Sequence, residues 1–67
     1  MTKQESLNLK SIIIKEVGTA KNLAARLDMT ESQLSQKITG KRKLSQEEVS
    51  LLLSTLNCKY EDIFIVD

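Results

Sequence analysis

TAKNLAARLDMTESQLSQKIT, Thr19 to Thr39, reads as two short helices joined by a tight corner. The Thr19 hydroxyl can accept a bond from an orphan amide in the first turn of the helix that follows it. Leu23, Ala24 and Leu27 then fall on one side, at the spacing of a helix with a single buried face. Asp28 tolerates left-handed backbone and can close that helix where no glycine stands. Thr30 to Gln33 has the form Thr-x-x-Gln, a reciprocal capping pair that opens a second helix. Leu34 and Ile38, one turn apart, can pack back onto Leu23, Ala24 and Leu27. Small Ala24 lets the two helices approach closely where they cross.

The side of the second helix away from Leu34 and Ile38 carries Ser32, Gln33, Gln36 and Thr39, taking about 100° per residue. These are short, uncharged hydrogen-bonders, where an ordinary solvated face shows Glu and Lys. Ser and Gln can bond to base edges in a major groove, which admits one helix; Gln can bond bidentately to adenine. Glu31, at the leading end, either accepts from a cytosine amine or serves the helix dipole as an acidic first-turn residue. Gly40 ends the helix, and Lys41-Arg42-Lys43 follows, with Lys37 just before and no acid between Lys37 and Lys43. Phosphates suit these four cations, and they suit the free amides near Thr19 and Ala20 at the start of the first helix of the pair. A basic run alone is as readily a solvated loop; its place behind two such helices is what favours DNA.

The ordered set resembles the helix-turn-helix of phage Cro and repressor proteins, the lambda-repressor-like DNA-binding domains. The match runs through Leu23, Ala24, Leu27, Met29, Leu34, Ile38 and Gly40-Lys41-Arg42-Lys43. It continues through Ser45 to Leu56 and through Asn57-Cys58-Lys59-Tyr60-Glu61-Asp62-Ile63-Phe64, covering nearly all of residues 9–64. The resemblance implies a compact all-α bundle of five helices, with Glu31, Ser32 and Gln36 at the positions that read bases. Three positions depart from the family pattern. Ala20 replaces a glutamine that braces phosphate, Asp28 replaces the corner glycine, and Leu44 replaces a proline after the basic run.

The rest of the chain fits one small domain over residues 1–67. A chain of this size can bury roughly 60% of its unfolded surface, enough for a single core. Its apolar content of 40% is almost wholly aliphatic, and it has no proline, so strand and turn signals are scarce. Met1 to Ser6 is polar and is expected to be frayed or loosely helical; a first helix is expected over about Leu7 to Val17, ended by Gly18. Leu9, Ile12, Ile13 and Val17 give it an inward face. Leu7 and Ile14 lie on another side, to pack against the C-terminal residues or to meet a partner. Ser45-Gln46-Glu47-Glu48 is a capping box opening a fourth helix to about Leu56, with Val49, Leu52, Leu53 and Leu56 as its stripe. Asn57 is placed for a left-handed cap. Tyr60 to Phe64 forms one more turn, with Ile63 and Phe64 at the base of the core, and residues 65–67 form a tail.

Several functions are disfavoured. The net charge is only +1, so the distribution of charge matters more than its sum. Lone Cys58 cannot form an internal disulfide, which fits a reducing cytosol, and with no histidine there is no plausible zinc site. Ile12-Ile13-Ile14 is far short of the roughly 20 apolar residues that span a bilayer. No nucleophile has an apparent base partner, no glycine-rich phosphate loop is present, and Glu47 and Glu48 point apart on their helix, so no enzyme, cofactor or small-molecule ligand is expected. Two readings remain. One is a sequence-specific regulator on double-stranded DNA, of phage or bacterial type, acting as a homodimer through the Leu7/Ile14 side or through Ile63-Phe64-Ile65-Val66. The other is a protein-interaction module of the same fold that does not bind DNA, such as an anti-repressor or a partner of a larger regulator.

Overall fold

Local chemistry sets most helix boundaries in the computed structural model of the chain, which describes residues 1–66. Five helices follow in order: α1 (Lys3–Glu16), α2 (Ala20–Arg26), α3 (Glu31–Ile38), α4 (Gln46–Leu56) and α5 (Tyr60–Ile63). No strand occurs among the described residues. Thr19 caps α2 by accepting from the Asn22 amide at 3.1 Å. The α3 box is reciprocal: Thr30 Oγ1 accepts from the Gln33 amide at 3.1 Å, and the Gln33 side chain accepts from the Thr30 amide at 3.0 Å. Ser45 and Glu48 do the same for α4, at 3.1 and 2.9 Å. Each pair satisfies two amides that a helix start would otherwise leave open.

The first helix begins earlier than the sequence reading has it. Of the two expectations for residues 1–6, the helical one holds from Lys3 onward: Thr2 caps α1, its hydroxyl accepting from the Glu5 amide at 3.2 Å while Glu5 accepts from the Thr2 amide at 2.8 Å. Thr2-Lys3-Gln4-Glu5 is a capping box of the same kind as Thr30–Gln33 and Ser45–Glu48, masked in the sequence by the absence of apolar residues beside it. The second carboxylate oxygen of Glu5 accepts from the Ile65 amide at 3.0 Å, so one side chain joins the start of α1 to the tail. Asp67 lies outside the described residues.

Helix ends follow the left-handed caps. Asp28 stands at φ +57°, and the Met29 amide bonds back to the Ala24 carbonyl at 2.9 Å, closing α2 in a Schellman turn. Asn57 repeats the device at φ +51°, with the Cys58 amide on the Leu53 carbonyl at 3.1 Å. The core gathers Leu9, Ile13, Leu23, Ala24, Leu27, Leu34, Ile38, Leu52, Leu56 and Ile63. Ile12, Val17, Leu53 and Cys58 pack against it, half-buried. Two polar ties join ends of helices to α1: the Ser6 hydroxyl donates to the Ile38 carbonyl, and Asn8 Nδ2 donates to the Ile63 carbonyl at 3.1 Å. None of the helices among the described residues is long and apolar enough to cross a membrane.

Burial divides the surface expectations. Leu7 and Ile14 are 50% and 69% exposed, which leaves a partner surface as the reading for them. Ile63 is fully buried at the base of the core, as expected, and so contributes nothing to the outer surface also expected of residues 63–66. Of the residues after α5, Phe64 is half-buried and stacks on Tyr60 with ring centroids 4.5 Å apart, which leaves Ile65 and Val66 as the exposed apolar pair.

Candidate nucleic-acid interface

The candidate interface rests on how α3 is seated. Leu34 and Ile38 are buried against α1 and α2, which fixes the rotation of α3 about its axis. With those residues inside, Glu31, Ser32, Gln33, Ser35 and Thr39 are exposed, and Gln36 is half-buried. Ser35 is an addition to the outward set. It stands four residues after Glu31 and so lies above it on the same side, a position the sequence reading passed over.

The polar groups on this face are not equally free. The Gln33 side chain already accepts from the Thr30 amide, which commits its carbonyl oxygen to the cap and leaves its amine. The Thr39 hydroxyl turns back on its own helix, donating to the Ser35 carbonyl at 2.9 Å and to the Gln36 carbonyl at 3.3 Å. No hydrogen bond within the protein occupies the side chains of Glu31, Ser32 or Gln36 among the described residues.

The basic loop is tied to the same helix. Gly40 adopts φ +85°, the Arg42 amide reaches back to the Gln36 carbonyl at 3.1 Å, and a Cβ at Gly40 would stand 3.0 Å from the Met1 carbonyl oxygen. The loop therefore needs glycine both for its backbone angle and for the close approach of the N-terminal segment. Lys41, Arg42 and Lys43 are exposed. Lys37 differs from them: its ammonium pairs with Glu48 of α4, and the two side chains are only 16% and 26% exposed. Sequence spacing gave no sign of this, because the partners lie eleven residues apart across a loop. Thr19 is exposed and Ala20 half-buried at the start of α2.

A family described as helix-turn-helix matches residues 13–63, a span that takes in α2, α3, the basic loop and α4. The chain belongs to the Cro/repressor-type helix-turn-helix family. It is thus a helix-turn-helix domain of the DNA-binding, transcription-regulating kind. Comparisons with curated proteins and with solved structures return no match. Within the helix-turn-helix family the motif is α2, the Asp28 corner and α3, with α1, α4 and α5 closing the core behind it.

Proposed function

We propose that the protein is a sequence-specific regulator that binds double-stranded DNA with α3 in the major groove. The observation that carries this reading is the seating of α3: aliphatic residues inward, with Glu31, Ser32 and Gln36 exposed or half-exposed and unoccupied beside a cationic loop. In this reading Ser32 and Gln36 contact base edges, Gln33 donates from its amine, and Glu31 accepts at the leading end. Lys41, Arg42 and Lys43 hold phosphates, together with free amides around Thr19 and Ala20, whereas Lys37 is paired with Glu48.

A module of this size makes a small interface, roughly 600–1,000 Å². Useful discrimination then comes from two copies on a two-fold site, with half-sites about 34 Å apart. Ile14 and Leu7, exposed on α1, supply an apolar side for that contact. The same exposed residues, with the low net charge, favour the second reading, in which the domain binds a protein and not DNA.

A salt titration separates the two. Binding to duplex DNA driven by counterion release weakens steeply between about 50 and 200 mM salt, whereas an apolar protein interface need not. Lys43→Ala is expected to weaken binding equally on all sequences and to flatten the salt slope by about one unit. A change confined to one base position would remove Lys43 from the phosphate set.

A further inference from the structure

Lys37 is the cation of the basic cluster that stands on α3 itself, yet it does not face outward as the loop cations do. Its ammonium is held by Glu48 Oε2, and the other oxygen of that carboxylate accepts from the Ser45 amide at 2.9 Å. Both oxygens of Glu48 are therefore engaged, one in the cap of α4 and one in the ion pair. The carboxylate also sits in the first turn of α4, where the positive end of the helix dipole attracts an anion. Partial burial of both side chains strengthens their attraction relative to that of an exposed pair.

We propose that Glu48 sets the strength and salt dependence of duplex binding: it withholds Lys37 from the DNA backbone and uses it to tie the end of α3 to the start of α4. This rests on the DNA-binding reading above. A lysine free to reach a phosphate adds affinity for every sequence alike, because phosphate contacts carry no base information. Locking it into an intramolecular pair therefore lowers affinity for cognate and non-cognate duplex alike, while leaving the base-reading side chains in place.

Glu48→Gln isolates this role, because glutamine serves equally well in the third position of a capping box and leaves the Ser45 contact available. The experiment measures binding of the full chain to a random-sequence duplex across salt, for the wild type, Lys37→Met, Glu48→Gln and the double variant. In the wild type Lys37 makes no phosphate contact, so Lys37→Met leaves the salt slope unchanged. Glu48→Gln releases Lys37 and steepens the slope by about one unit, so that its affinity falls roughly 3.5-fold more than that of the wild type between about 50 and 200 mM salt. The double variant returns to the wild-type slope, which separates release of Lys37 from the mere loss of a negative charge. A slope flattened by about one unit in Lys37→Met, or a wild-type slope in Glu48→Gln, overturns the assignment while DNA binding stands. Absence of duplex binding in the wild type at low salt overturns the DNA-binding reading and this inference with it.

Discussion

Asp28 holds the corner between α2 and α3 at φ +57°, a region that costs a residue bearing a Cβ about 1–2 kcal/mol. Its charge also stands past the C-terminal end of α2, where the helix dipole disfavours an anion. Replacing it with glycine removes both penalties but gives the unfolded chain extra freedom, which offsets about 0.4–1 kcal/mol. Asp28→Gly is therefore expected to stabilise the domain by about 0.5–1 kcal/mol, read from the denaturation midpoint; a loss of stability would mean the carboxylate is doing something the backbone angle does not show. Glu5 makes the opposite kind of case. The Thr2 and Ile65 amides favour its ionised form and hold its carboxyl below the usual carboxylate range. A group whose folded value is lowered stabilises the fold above its unfolded value, and that contribution is lost as pH falls through the folded one. The wild type should thus lose more melting temperature than Glu5→Gln between about pH 6 and about pH 3. Equal losses would show that the Ile65 contact does not discriminate between the two protonation states.

The helix-turn-helix was legible because its signals are local. Thr19, the Thr30–Gln33 box, the Ser45–Glu48 box and the left-handed Asp28 and Asn57 each fix a boundary within a few residues. Leu34 and Ile38 then leave one way for α3 to face. Leu34→Ala is expected to cost about 2–5 kcal/mol, because the side chain is 1% exposed and its removal leaves a cavity in the core shared by α2 and α3. A near-zero cost in urea denaturation would place α3 in a different rotation. What was not legible is tertiary. The start of α1 was missed because Thr2 and Glu5 carry a capping pattern without an apolar stripe beside it. The Lys37–Glu48 pair was missed because only the path of the basic loop brings the partners together.

At the scale of the whole molecule, charge is divided along the chain. The basic loop follows α3 directly, while the acids Glu47, Glu48, Glu61 and Asp62 come later, on α4 and α5, with Glu48 paired to Lys37. The domain measures 32 × 23 × 20 Å, so two copies fit on half-sites about 34 Å apart without overlapping. Burial of Ile63 takes α5 out of the expected dimer contact and leaves two exposed candidates, the Ile14 and Leu7 side of α1 and the Ile65-Val66 tail. In the proposed function the outward side chains of α3 read bases. Selection of bound sites from random duplex DNA, run in parallel with the wild type and Gln36→Ala, tests it most directly. A two-fold motif is expected for the wild type, with preference lost at one position of each half-site in the variant. Recovery of unrelated sequences, or of the same motif from both proteins, would contradict it.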